Sequence, residues 1–273
     1  MRIQTVTAVY FSPTGSTERT VRTVAQSLAD ALGVPMAELD LTRPESRAKE
    51  YSFTETDFVV VGTPTYAGKV PNKLLPDLQR CLRGGGALAA AVVTFGNRSF
   101  DNSLAELAAV LGQDGFCPLA GGAFAARHAF TDKLAEGRPD WEDRKQMEAF
   151  GRSIADKVKT LTDIPAPIQV PGDPDAPYYT PLGTDGQPAK FLKAKPKTDL
   201  SRCCGCGVCT RHCPMGSIDP QDVASVPGIC IKCQSCVRHC TRHAKYFDDP
   251  AFLSHVAMLE SHYASPKENQ VFL

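Results

Sequence analysis

"TVTAVYFSPTGSTERTVRTVAQSLADAL", residues Thr5 to Leu32, joins two periodicities without a break. From Thr5 to Phe11 small polar and apolar residues alternate and β-branched types dominate, which predicts a strand. Val21, Val24, Ala25, Leu28 and Leu32 then fall on one face at helical spacing. Between them stand Ser12, Pro13, Thr14, Gly15, Ser16 and Thr17. A strand that runs straight into a helix leaves the first helical amides unpaired and the positive dipole end facing the turn. Such a turn suits a phosphate. The hydroxyls add donors, and Gly15 lets the backbone curl around a ligand. No Lys or Arg lies between Ser12 and Thr17, so any anion would be held by neutral donors. The same residues also suit a plain helix N-cap. On this stretch alone both readings stand.

The alternation continues outward. Residues 36–41, 57–64 ("DFVVVGTP"), 87–95 ("ALAAAVVTF") and 116–125 read as further strands, the apolar runs being those of strands buried on both faces. Helices are expected over 71–82, with Pro71 at the start, over 99–111, opening on Ser99 or Asp101, and over 140–161. Trp141, Met147, Phe150, Ile154 and Val158 would face inward from the last of these. Five strands alternating with helices predict a doubly wound, parallel α/β sheet over residues 1–164. Prolines then punctuate residues 165–197, which read as an extended linker packed in part through Tyr178, Tyr179 and Phe191. A cysteine-rich segment fills 198–248. Residues 249–273 give an amphipathic helix near 252–263 and a tail.

A chain of 273 residues has room for two domains. Its formal net charge of +0 gives no general signal for nucleic acid or a membrane surface. The balance is uneven, however: residues 186–250 carry 10 Lys/Arg against 5 Asp/Glu. No signal-peptide pattern opens the sequence and no apolar run is long enough to cross a bilayer, so a cytoplasmic protein is expected. In that reducing setting, 11 cysteines read as metal ligands or reactive thiols, not disulfides.

Eight of them form an internal repeat. Cys203, Cys206, Cys209 and Cys213 are spaced x2-x2-x3 and followed by Pro214, and Cys230, Cys233, Cys236 and Cys240 repeat the spacing. Paired zinc sites are the alternative, but zinc ribbons use two separated C-x2-C pairs, not three cysteines at x2-x2. The spacing resembles that of bacterial two-cluster ferredoxins, small α+β units in which each run's fourth cysteine serves the other cluster. The resemblance implies two [4Fe-4S] clusters, one on Cys203, Cys206, Cys209 and Cys240, the other on Cys230, Cys233, Cys236 and Cys213. Thr241 stands where the second run would have proline. Cys204 is off the spacing and reads as a spectator, while Cys81 and Cys117 read as small apolar residues. His212, His239 and His243 lie beside the ligands in sequence.

The first domain resembles a flavodoxin, the doubly wound fold with strand order 2-1-3-4-5 and its ligand at the carboxyl ends of the strands. "SPTGST" is similar to that family's FMN phosphate loop. The resemblance implies that Pro64, Thr65, Tyr66, Ala67 and Gly68, after the third strand, and Thr94, Phe95, Gly96, Asn97 and Arg98, after the fourth, surround the flavin. Tyr66 would flank the ring, and Gly68 would let the backbone approach it. Phe95 fits a ring contact or the core equally, and His128 a flavin edge or a structural role. The whole chain resembles flavodoxin–ferredoxin fusion proteins of anaerobic bacteria. That implies an electron-transfer protein relaying electrons between the clusters and FMN, with a redox partner such as an acidic ferredoxin or a reductase. The alternatives are an FMN-dependent reductase of a small molecule, for which no G-x-G-x-x-G marks a second nucleotide site, and a redox-sensing interaction protein.

Overall fold

The computed structural model describes residues 2–273. Strand β1 (Thr5–Tyr10) passes through the Ser12–Gly15 turn into helix α1 (Ser16–Leu32). β2 (Met36–Asp40), the short α2 (Pro44–Arg47) and β3 (Tyr51–Ser52) lead to β4 (Asp57–Pro64). There follow α3 (Leu75–Cys81), β5 (Leu82–Arg83), β6 (Leu88–Phe95), α4 (Ser103–Gln113), β7 (Cys117–Ala125) and α5 (Trp141–Thr160). The cysteine-rich unit holds β8 (Lys197–Thr198), α6 (Val208–Arg211), α7 (Ser235–Arg238) and β9 (Lys245–Tyr246), with β8 antiparallel to β9. The chain continues through α8 (Pro250–His262) to β10 (Gln270–Phe272).

The main sheet runs β2-β1-β4-β6-β7-β10. Its first five strands are mutually parallel, and their period-2 alternation feeds two cores. Phe58, Val60, Leu88, Ala90 and Val92 point to the face covered by α1 and α5, while Val59, Val61, Ala89, Ala91 and Val93 point to the face covered by α3 and α4. Both faces being covered explains the unbroken apolar runs. β10 is antiparallel to β7, with Gln270 opposite Ala123 and Phe272 opposite Gly121. The tail therefore returns after the cysteine-rich unit and pairs with a strand that would otherwise be an open edge.

Several expectations need correction. Pro71 opens a turn that donates no helix start; α3 begins four residues later, with Pro76 in its first turn. α4 begins at Ser103, because Ser99 Oγ accepts from the Asp101 amide at 2.9 Å and Asp101 takes a left-handed φ of 41°. Trp141 is 64% exposed, with the Lys145 ammonium 3.2 Å above its ring. It is the first residue of α5, whose N-cap Asp140 forms a capping box with Asp143, and it overhangs the sheet that Met147, Phe150, Ile154 and Val158 cover.

Residues 165–197 form a strap laid along the first unit. The Ile168 amide donates to Pro118 O at 2.8 Å, Val170 packs on the α3/α4 core, and the Tyr179 amide donates to Ala67 O at 2.8 Å. The strongest hold is Lys69, only 6% exposed. Its Nζ donates to Pro174 O at 2.8 Å and Ala176 O at 2.7 Å and lies 3.0 Å from Glu106 Oε1, whose other oxygen accepts from the Val70 amide at 2.8 Å. A buried charge of this kind is tolerable because every partner is present. Lys69→Ala should cost about 3–5 kcal/mol by leaving the Glu106 carboxylate buried and unpaired. It should also open residues 171–181 to proteases, whereas Lys69→Met with Glu106→Gln should lose less. Urea unfolding and limited proteolysis check this, and an unchanged cleavage pattern in Lys69→Ala would show the strap is held elsewhere.

Candidate functional site

The turn after β1 divides its groups between two tasks. Ser12 is buried; its amide donates to Thr42 Oγ1 at 2.8 Å and its Oγ accepts from the Glu18 amide at 2.9 Å. Ser12 is thus the cap of α1's third amide, with the left-handed Gly15 (φ 85°) as the N-cap residue. Thr17, 2% exposed, turns its hydroxyl inward to Thr94 Oγ1 at 2.7 Å. The Thr14 and Ser16 hydroxyls and the Thr14, Ser16 and Thr17 amides have no hydrogen-bond partner among the described residues. These five donors at the amino end of a 17-residue helix suit an anion without any further charge. Pro13 is buried beside them.

The loop after β4 forms a tight reversal. Tyr66 and Lys69 exchange backbone hydrogen bonds of 2.9 and 3.1 Å, with positive φ at Ala67 (48°) and Gly68 (79°). Such a turn needs left-handed residues at both centres. The space beside Gly68 is filled by the Asp101 side chain, and Gly68 O accepts from the Asn102 amide at 2.9 Å. Its backbone is therefore approached by this chain, a different use from the ring approach expected of it. Pro64 ends β4, the Thr65 amide donates to Thr94 O at 2.7 Å, and the Thr65 hydroxyl pairs with Ser103 Oγ at 2.7 Å.

In the loop after β6, Phe95 is 4% exposed and tilts against Phe100 at 5.6 Å, inside the α3/α4 core. Asn97 is fully buried and serves the tail: its Nδ2 donates to Tyr263 O at 2.6 Å and Ser265 O at 3.0 Å, and its Oδ1 accepts from the Lys267 amide at 3.1 Å. Arg98 pairs with Asp101 and lies 4.0 Å from the centre of the Tyr179 ring. Ala67, Gly68, Arg98, Asn102, Pro177 and Tyr179 bound a cavity of about 410 Å³ beside these loops. Tyr179 was expected only to pack the Pro-rich stretch; its sequence neighbours give no sign that the strap carries it to the cavity beside Arg98. The His128 ring packs against Gly96 and Phe130, its Nδ1 accepting from the Phe130 amide at 3.1 Å.

The cysteine repeat is repeated in the backbone, at an offset of 27 residues. Gly205 and Gly207 take φ of 68° and 67°, and their counterparts Lys232 and Gln234 take 56° and 64°. The Ser217 amide donates to Cys213 Sγ at 3.3 Å as the Ala244 amide does to Cys240 Sγ at 3.3 Å. His212 and His239, equivalent in the repeat, stack with ring centroids 4.0 Å apart. Cys203, Cys206, Cys209 and Cys240 line one cavity, with Cys204 and Lys245. Cys213 lies with Cys230, Cys233 and Cys236, close enough for their charges to act on one another. Burial pushes the Cys233 thiol well up and the Cys236 thiol to about 12. Cys206 is instead held below the usual thiol value by the Val208 amide and the Cys204 side chain. A buried thiolate of the Cys233 kind is costly unless a cationic centre or amide dipoles offset it. Among the described residues no three His, Cys, Asp or Glu side chains converge tightly enough to hold a single metal ion.

The two groups of loops meet. Ile231, between two of the cysteines, packs on the α3/α4 core, and the nearness of Cys233 and Cys230, after burial itself, raises the Tyr66 hydroxyl's pKa. Arg47 Nη2 donates to Pro214 O at 2.6 Å, and Arg238 reaches His128 O at 3.2 Å, Ala129 O at 3.0 Å and the Asp132 carboxylate. Among the described residues no helix is long and apolar enough to cross a membrane.

No protein-family profile and no curated protein matches the chain. Among solved structures it is similar to a flavodoxin from the domain Archaea, at 16% identity over 57% of this chain and 99% of that one, with a TM-score of 0.41. It is also similar to the rubredoxin oxygen:oxidoreductase of the anaerobe Desulfovibrio gigas, at 21% identity over 58% of this chain and 37% of that one, TM-score 0.41. Flavodoxin 2 of Bacillus cereus aligns at 19% identity over 56% of this chain and 99% of that one, TM-score 0.39.

Burial, followed by the charges of His255, Arg238 and Arg98, lowers the His128 pKa to about 4. An unfolded chain binds that proton near pH 6.5, so between about pH 6.5 and 4 the unfolded state holds more protons and stability is lost as the pH falls. Replacing His128 by Asn should flatten this part of the stability-versus-pH curve measured by urea unfolding. An unchanged slope would assign the acid sensitivity to other groups.

Proposed function

We propose that this chain is an electron-transfer flavo-iron–sulfur protein. Its first unit would be flavodoxin-like and bind FMN, and its second ferredoxin-like and bind two [4Fe-4S] clusters. The observation that carries the reading is the completion of each three-cysteine run by the fourth cysteine of the other, with Tyr66 of the first unit beside Cys230 and Cys233. Cys203, Cys206, Cys209 and Cys240 would hold one cluster, and Cys213, Cys230, Cys233 and Cys236 the other. Sulfur-bound amides at Cys213, Cys230 and Cys240 suit thiolates that share negative charge with a cluster. The Thr14 and Ser16 hydroxyls, with the free amides of the turn, would receive the FMN phosphate. When bound, the clusters supply one-electron steps and the flavin one- or two-electron steps. The residues around them fix position, supply donors and exclude water.

A second reading, FMN-dependent reduction of a small molecule, is favoured by the cavity of about 410 Å³ beside the flavin loops. Arg98, Asn102 and Tyr179 give it polar and aromatic walls.

Protein purified without oxygen should contain about eight iron and eight acid-labile sulfide per chain. Stoichiometric zinc, or about four iron, would overturn the two-cluster assignment. Cys213→Ser should cost the cluster on Cys230, Cys233 and Cys236, while Cys204→Ala should leave iron content unchanged. Thr14→Ala and Ser16→Ala should each weaken FMN binding by about ten- to a hundredfold, since a hydrogen bond to a charged group contributes about 1.5–3 kcal/mol. Riboflavin affinity should hardly move. Equal losses for both flavins would show that the turn serves only the helix. Thr17→Ala should lower stability, because the buried Thr94 hydroxyl loses its partner.

A further inference from the structure

The halves of the cysteine repeat are equivalent in backbone but not in surroundings. The second is covered by the first unit: Ile231 enters its core, Cys233 lies by Tyr66, and Arg238 grips residues 128–132. Pro214, which follows Cys213, is held by the buried Arg47. The first half faces outward: Cys204, Gly205 and Cys206 are exposed, whereas their counterparts Ile231 and Lys232 are half-buried and Cys233 is buried. Around that outward loop stand Arg202, Arg211 and Arg242, all exposed and none ion-paired among the described residues. Of the neighbouring carboxylates, Asp248 is paired with Lys197 at 2.8 Å, while Asp199 accepts from Ser201 Oγ at 2.6 Å and feels the Arg202 charge without forming an ion pair with it. Leu200, 72% exposed, and Tyr246, 41% exposed, add apolar area on the same unit.

We propose that this outward loop is the docking port for an acidic one-electron carrier protein, which exchanges electrons with the chain there and not at the flavin loops. The proposal rests on the relay reading above and adds to it the place and the partner's chemistry. Exposed guanidinium groups around a cofactor-bearing loop, Arg211 keeping its charge while its Nη1 donates to Cys206 O at 3.0 Å, attract a carrier with an anionic face and raise its encounter rate. The exposed apolar residues then supply a small, transient contact of the size usual for electron-transfer encounters. The exchange is balanced as one electron: the reduced carrier is oxidised by one, the protein gains one, and no bond or proton moves.

The experiment uses the full, cluster-loaded chain and an acidic two-[4Fe-4S] ferredoxin. Binding is measured by calorimetry with both proteins oxidised, so that no electron passes, and reduction by stopped flow at low and high salt. The variant carries Arg202→Glu, Arg211→Glu and Arg242→Glu; its control reverses Arg144, Lys145 and Lys159 on α5. The triple variant should bind and be reduced about tenfold or more slowly at low salt, with the salt dependence lost. Its iron content, and its reduction by the cationic viologen radical at high salt, where charge steering is screened, should match the wild type. Retained binding and salt dependence, or an equal loss in the α5 control, would overturn the port. So would sedimentation showing this face buried between two copies of the chain. A wild type lacking about eight iron would instead overturn the relay reading.

Discussion

The Arg47 guanidinium is a charge that must be fully satisfied to stay where it is. It is 3% exposed, its Nε donates to Asp77 at 2.7 Å, and its Nη atoms reach Leu41 O, Thr42 O and Pro214 O at 2.8, 2.8 and 2.6 Å. Three partners belong to the first unit and the fourth to the cysteine-rich unit. Unsatisfied, a buried cation costs several kcal/mol, so the second unit cannot carry Pro214 away from Arg47 without stranding a donor. The seat of the cysteine-rich unit on the first one rests on this constraint at its Pro214 end.

The same physics recurs at the other joints. Lys69 is buried against two carbonyls of the strap and the Glu106 carboxylate, and Asn97 takes two carbonyls and one amide of the segment before β10. Asn269 accepts from the Ala125 amide at 2.8 Å and donates to Asp143 and Gln146, beside the Arg138–Asp143 pair. Strap, cysteine-rich unit and tail carry little apolar periodicity, so they are fastened by polar side chains that satisfy backbone groups, each fixed by direction as well as distance.

That division explains what the sequence made legible. Where burial follows a period, as in Val59 to Val61 or in Met147, Phe150 and Ile154, the pattern alone located strand and helix. The x2-x2-x3 cysteine spacing was equally direct. Trp141 failed because a helix's first turn can overhang the sheet its later turns cover. Asn97, Arg98 and Thr17 were expected at a ligand from their loops, yet Asn97 bonds to residues 166–170 positions away, Arg98 lies over the Tyr179 ring and Thr17 bonds to Thr94, 77 positions away. Nothing local encodes such partners. Lys69 and Arg47 are buried cations whose partners are likewise distant in sequence.

The cysteine repeat shows how one backbone can be reached by two routes. In its outward half the left-handed positions are Gly205 and Gly207; in its covered half they are Lys232 and Gln234, which pay a conformational cost of about 1 kcal/mol or more each. The side chains return part of it. Lys232 Nζ donates to Leu192 O of the strap, and Gln234, 5% exposed, donates to Lys232 O at 3.3 Å. Glycine at those places would remove the Lys232 tie to the strap and the buried Gln234 side chain. Side chains at Gly205 and Gly207 would have no such partners, and Arg211 already occupies the space beside Gly207. At these two positions the halves of the repeat differ as their surroundings do. Glycine remains where the loop meets solvent, and side chains appear where the loop meets the rest of the molecule.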